Sequence, residues 1–168
     1  MATKTLVPVE EYLRSSFDGP EPDYVDGELV ERPLPSIPHA KAQRRLSKFF
    51  LLLPESLSLF AYSELSLKVS PKRFRTADVA VFEGTEPEGA GRATQPPAAV
   101  IEVLSPDDRW SEILAKAIDY QEFGIRHIWL VDPGTCKLFS YTSGLHEVPS
   151  FELPEHGVTI PPAAVFGQ

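Results

Sequence analysis

The sequence predicts an α/β chain, a mixed sheet flanked by helices, and three observations lead to it. Apolar runs with strand character recur at 77–82, 98–104 and 125–132. A helical period runs through 36–53. Between the second and third apolar runs, residues 105–123 carry helix-start and helix-stop signals, giving a strand–helix–strand unit of crossover length. Such a crossover is right-handed and can pair its two strands in parallel.

The elements follow in order. Val9, Tyr12 and Leu13, at i, i+3 and i+4, predict a short helix over 8–16. Tyr24 to Glu31 reads as two short strands about an Asp26-Gly27 turn, a strong hairpin signal. In the 36–53 helix Leu46, Phe49, Phe50 and Leu53 form a core face. Lys41, Arg44, Arg45 and Lys48 lie about 140° away on the same spacing. That basic stripe is either a solvated face or a phosphate-contacting surface. Residues 57–69 form one long strand or a hairpin, and Ser70 to Arg75 a basic loop. Residues 83–97, rich in Gly, Pro and acids, form a solvent loop.

Ser105, Pro106 and Asp108 have the order of an N-cap, a first-turn proline and a third-position acid, so a helix is expected from there to Phe123, stopped by Gly124. Asp132-Pro-Gly-Thr135 suits a type II turn into an antiparallel strand over 137–142. Trp110 and Trp129 both read as core. The tail from Leu145 holds short strand-like pieces and no visible chemistry. With no long linker and no internal repeat, residues 1–168 read as a single domain.

Composition narrows the function. The chain has 168 residues, 42% hydrophobic and 24% charged, the profile of a soluble globular protein. No apolar run is long enough to span a bilayer, the N-terminal residues lack the apolar core of a secretory signal, and a lone cysteine leaves no internal disulfide or Cys-based zinc site. A cytoplasmic protein without a membrane is therefore expected. The formal net charge of −8 argues against wholesale nucleic-acid binding but leaves room for a local basic patch.

Isolated charges in buried strands are costly unless paired or metal-bound. Asp78 shares a strand face with Ala80 and Phe82, and Glu102 shares one with Val100 and Leu104. If the two strands are neighbours, the carboxylates repel unless one is protonated or a cation lies between them. Oxygen ligands of this kind suit Mg²⁺ or Mn²⁺. The plain alternative is an ion pair with Arg75 or Arg109. Lys116, at the edge of the stripe formed by Trp110, Ile113, Leu114 and Ala117, either snorkels to solvent or points at the acids, where it could orient a water or offset phosphate charge.

Five segments in this order (24–33, 75–82, 100–106, 116–120 and 124–133) resemble the Uma-type restriction-endonuclease family, assigned to the PD-(D/E)XK nuclease superfamily. The likeness spans about residues 8–145. It implies a restriction-endonuclease-like core and a divalent metal, Mg²⁺ or Mn²⁺, held by Asp78, Glu102 and the main-chain carbonyl of Val103. Two positions depart from the superfamily pattern. Ala77 stands where a proline usual to the motif would be, and Leu104 stands where a lysine is usual, two residues after the Glu. The family pattern offers Lys116 as a migrated replacement, and Glu28 as a further acid or a plain hairpin residue. His39 reads as a helix-start residue rather than a phosphate contact.

The sequence therefore points to a metal-dependent DNA endonuclease, with Lys41, Arg44, Arg45, Lys48 and Arg75 on the DNA backbone and a homodimer for double-strand cleavage. A catalytically inert nuclease-like module that binds DNA or protein is the second reading, favoured by Leu104 and the acidic net charge. A carboxylate pair also serves glycoside hydrolysis, but no aromatic-lined sugar cleft is visible.

Overall fold

The computed structural model describes residues 5–167. Helix α1 (Val9–Arg14) leads to a hairpin, β1 (Asp23–Val25) and β2 (Glu28–Val30). Asp26 (φ 52°) and Gly27 (φ 99°) both take the left-handed conformation of a type I′ turn, as the Asp-Gly pair predicts. Helix α2 (Ile37–Leu51) starts at Ser36, whose hydroxyl accepts the His39 N–H at 3.3 Å. Strands β3 (Leu59–Ser70) and β4 (Arg73–Glu83) then form one long hairpin. The expected basic loop is thus a two-residue turn, and Arg73 and Arg75 belong to β4.

Strand β5 (Ala99–Val103), helix α3 (Trp110–Phe123) and strand β6 (His127–Asp132) make the crossover, and β5 pairs β6 in parallel as expected. Strands β7 (Lys137–Tyr141), β8 (Leu145–Val148), β9 (Phe151–Leu153) and β10 (Val158–Ile160) and helix α4 (Pro162–Phe166) complete the chain. The main sheet runs β2-β1-β4-β5-β6-β7-β8, with β3 on the other edge of β4. No described helix is long and apolar enough to cross a membrane.

Two apolar layers cover the sheet. On one face Leu46 and Phe50 of α2 pack with Val79, Ile101, Trp129 and the β9–β10 hairpin; Phe49 and Leu53 lie at its margin. On the other, Ala117 and Tyr120 of α3 pack with Ala80, Phe82, Val100 and Ile128. Asp78 and Glu102 therefore extend the α3-facing side, as the strand alternation predicts.

Three local expectations fail for physical reasons. Helix α3 begins after Arg109: the Asp108 N–H donates to the Ser105 carbonyl at 3.0 Å and closes a turn, and extended backbone at Arg109 (φ −100°, ψ 125°) separates that turn from the helix. Trp110, at the new helix start, is 52% exposed, whereas Trp129 is core. In the β6–β7 turn the left-handed residue is Cys136 (φ 55°) rather than Gly134, because Asp132 Oδ1 accepts the N–H groups of Gly134 and Thr135 at 2.9 and 3.3 Å. That is an Asx-type turn, not type II.

Candidate active site

A break in sheet pairing creates the site. Along one edge of β4, β1 pairs with Arg73 and Phe74, and β5 pairs with Val79 to Val81. Between these two partners β4 has no neighbouring strand on that edge among the described residues, so its buried backbone groups need side-chain partners. The Thr76 N–H donates to Asp23 Oδ1 at 2.9 Å, and Lys116 Nζ donates to the Thr76 carbonyl at 2.6 Å. Asp78 Oδ2 in turn accepts the Val103 N–H at 2.7 Å, capping the end of β5. The gap opens into a cavity of about 390 Å³ between the N-terminal half of α2 (His39, Gln43) and α3 (Ile113, Lys116, Tyr120).

The β4–β5 register sets Val79 opposite Ile101, so one step on Asp78 faces Glu102. Lys116 arrives from α3 and donates to Glu102 Oε2 at 2.8 Å, while the Tyr120 hydroxyl donates to Glu102 Oε1 at 2.6 Å. Tyr120 follows Lys116 by one helical turn, so both donors share one face. Lys116 is thus aimed at the acids rather than snorkelling, and it sets an ammonium beside Glu102.

Electrostatics separates the two acids. Burial raises the Asp78 carboxyl, but the His39 ring, the Lys116 charge and the Val103 N–H outweigh it and hold the group below the usual range. Glu102 goes the other way. Burial, aided by the Asp78 charge and opposed by Lys116 and Tyr120, pushes it up to about 7. Lys116 loses from burial yet is held above its ordinary value by Glu102, Asp23 and Asp78, so it stays an ammonium. Tyr120 is driven upward by burial and by Glu102 and stays a phenol donor.

The structure also brings in Arg32, Glu64 and Gln43, which the sequence did not single out, and His39, expected only as a helix-start residue. Arg32 bridges two acids, with Nη1 2.9 Å from Glu64 and Nη2 3.3 Å from Asp78. His39 is buried, its Nε2 3.6 Å from Asp78 Oδ1 and its Nδ1 3.1 Å from Ser105 Oγ. Gln43, one turn on, donates to the Asp78 carbonyl at 2.9 Å and to Glu64 at 2.8 Å. The plain alternative for Asp78, a pair with Arg75 or Arg109, is not realised: Arg75 is turned to Asp119 and Asp23, and Arg109 lies near Glu112.

Other candidates fall elsewhere. Glu28 does not line the cavity; with Val25 and Arg109 it lines a neighbouring cleft that meets the cavity at Arg32. The acid that the hairpin contributes is Asp23, 3.9 Å from Lys116 Nζ. Its signal was its neighbour Tyr24, a core residue of the same strand. Arg75 is 4% exposed and its guanidinium is taken by Asp119, so the expected backbone contact is replaced by a buried ion pair. Lys41, Arg44 and Lys48 are exposed, on the side of α2 roughly opposite His39 and Gln43, away from the cavity. Arg45 is half-buried against Gly167, where a Cβ would come within 2.6 Å of its guanidinium.

The donor set fits a hard divalent cation. Two acidic side chains crowd one cavity, each raising the cost of ionising the other, and carboxylate oxygens are the donors that Mg²⁺ and Mn²⁺ take. A His39 nitrogen and oxygens of Glu64 and Asp78 also lie within 4.8 Å of one another.

A family model described as "Putative restriction endonuclease" (Uma2) matches residues 9–167. Among curated proteins there is no match. A crystal structure described as "a putative nuclease belonging to DUF820", from Anabaena variabilis, superposes with a TM-score of 0.80 at 19% identity, covering 96% of this chain and 98% of that one. At that identity the likeness establishes the fold alone.

Proposed function

The chain belongs to the Uma2 family, and from that premise we propose that it is a divalent-metal-dependent endonuclease hydrolysing phosphodiester bonds in DNA. The observation that carries the reading is the opposed pair Asp78 and Glu102 with Lys116 Nζ 2.8 Å from Glu102, all on one cavity. Structural ion pairs seldom set two acids against each other beside open space.

Asp78 and Glu102, with the Val103 carbonyl, would hold Mg²⁺ or Mn²⁺. When bound, such an ion supplies Lewis acidity towards the phosphoryl oxygen and the attacking water. The chain's own work is positional. Lys116 orients the attacking water or offsets charge on the phosphate as the water oxygen bonds to phosphorus and the ester P–O bond breaks. Tyr120 fixes the Glu102 carboxylate. Lys41, Arg44 and Lys48 remain a backbone-contacting surface on the outer side of α2, which positions nucleic acid without reading sequence. Arg45, Arg75 and Glu28 drop out of the proposal. Two copies acting together would cut both strands.

Plasmid nicking by purified protein with Mn²⁺, Mg²⁺ or EDTA tests this, run beside Asp78→Ala and Lys116→Ala. Metal-dependent nicking lost in both variants supports it. Full activity in Lys116→Ala would remove the lysine from the mechanism. A second reading, an inert nuclease-like binding module, draws on one observation: both Glu102 oxygens are already taken by Lys116 and Tyr120. A folded wild type that binds DNA yet nicks with neither Mn²⁺ nor Mg²⁺ would favour it.

A further inference from the structure

Beside the Asp78–Glu102 pair, the geometry points to His39 and Glu64 as additional ligands that, with Asp78, give the ion position a preference for Mn²⁺ over Mg²⁺. The inference rests on the metal-dependent reading above. A ring nitrogen of His39 and carboxylate oxygens of Glu64 and Asp78 lie within 4.8 Å of one another. Ligand atoms about 2.1 Å from a common ion lie about 3 to 4.2 Å apart, so small side-chain rotations would bring these three onto one ion.

The orientation of His39 is that of a ligand. Its Nδ1 is 3.1 Å from Ser105 Oγ. With Nδ1 turned to that hydroxyl, Nε2 faces Asp78 Oδ1 at 3.6 Å and would give its lone pair to an ion in exchange for the proton it carries there. That separation is too long for a hydrogen bond and natural for two donors side by side on one ion. Metal-bound imidazoles are typically held in this way, through their other nitrogen. Glu64 falls opposite Asp78, at the one position that the β3–β4 register skips between Ser63 and Leu65. Its backbone is left-handed (φ 55°) inside a strand, and its carboxylate reaches Arg32 and Gln43 at the mouth of the cavity.

The chemistry follows from the nitrogen. Mg²⁺ takes oxygen donors in a near-ideal octahedron, whereas imidazole suits first-row transition ions. An all-carboxylate site would leave the choice to availability; an imidazole beside Asp78 tilts it. Arg32, bridging Glu64 and Asp78, is the ion's rival for the same oxygens.

The test needs no activity. Mn²⁺ binding is measured by the loss of the free-ion EPR signal for wild type, His39→Gln, Glu64→Gln, Asp78→Asn and Glu102→Gln. Thermal melts confirm that each is folded, and pulsed EPR reads the imidazole ¹⁴N coupling. Wild type is expected to show the ¹⁴N modulation. His39→Gln should lose it and bind Mn²⁺ about tenfold more weakly or worse, with Mg²⁺ competition nearly unchanged. No ¹⁴N modulation in wild type, or modulation and affinity unchanged in His39→Gln, overturns the inference. Binding lost only in Asp78→Asn and Glu102→Gln overturns it too, while leaving the nuclease reading intact. No binding by wild type removes both.

Discussion

Two ion pairs join the sheet to α3 within one helical turn of each other, Arg75 with Asp119 and Lys116 with Glu102, and they are built on opposite plans. Asp119 is saturated. Arg75 reaches its Oδ2 with Nε at 2.7 Å and Nη2 at 2.6 Å, Arg73 takes its Oδ1 at 2.6 Å, and neither Arg75 nor Asp119 has a side chain more than 5% exposed. Glu102 also has two partners, but it faces a second carboxylate and borders a cavity of about 390 Å³. Burial raises its proton affinity until it titrates at about 7. A buried charge with all its needs met is scaffold. A buried charge left beside a like charge and open space is held ready for something that arrives later.

The contrast can be broken from either side. The largest effect on folding belongs to the saturated pair. Asp119→Ala removes a shared carboxylate, leaving enclosed Arg75 with Asp23 alone and Arg73 with Asp26, and should cost about 3 kcal/mol, read by urea unfolding. Asp78→Asn keeps an acceptor for the Val103 N–H, so its unfolding free energy should stay within about 1 kcal/mol of wild type. Its nicking rate should nonetheless fall by about a thousandfold or more, the several kcal/mol that a metal site supplies.

Lys116→Met should lower nicking by about a hundredfold, while Mn²⁺ binding measured by EPR persists. Loss of both together would make the lysine a support for the acids rather than a participant. The smallest change is Tyr120→Phe, which removes one hydrogen bond to Glu102. It should cost about 1 kcal/mol in stability and a few-fold in rate, read by melting and by single-turnover nicking.

Legibility in the sequence followed the range of the interaction. The Asp26-Gly27 turn and the Gly124 stop are decided by a few adjacent residues, and each formed as expected. The shared face of Asp78 and Glu102 followed from strand alternation once the strands were neighbours. Ser105 to Asp108 was ambiguous because the same residues cap a helix or close a turn, and the extended backbone of Arg109 that follows decides for the turn.

Arg75 could not be read locally. Its partners Asp119 and Asp23 are far off in sequence, so a run of basic residues looked like a solvent loop. Glu64 was hidden by an assumption that strands alternate, which its left-handed backbone violates. His39 sat at a helix start, where a solvated role is the ordinary expectation, yet α2 carries its first turn to the mouth of the cavity. The basic stripe was correctly periodic, but periodicity fixes a face and not what that face looks at.

The claim that the open cluster is chemistry and the closed one scaffold is tested most directly by one paired measurement on Asp78→Asn: its single-turnover plasmid nicking with Mn²⁺ and its unfolding midpoint, both against wild type. The account expects nicking at the level of the EDTA control with the midpoint essentially unmoved. Nicking retained at the wild-type rate, or a midpoint that collapses as for Asp119→Ala, would contradict it.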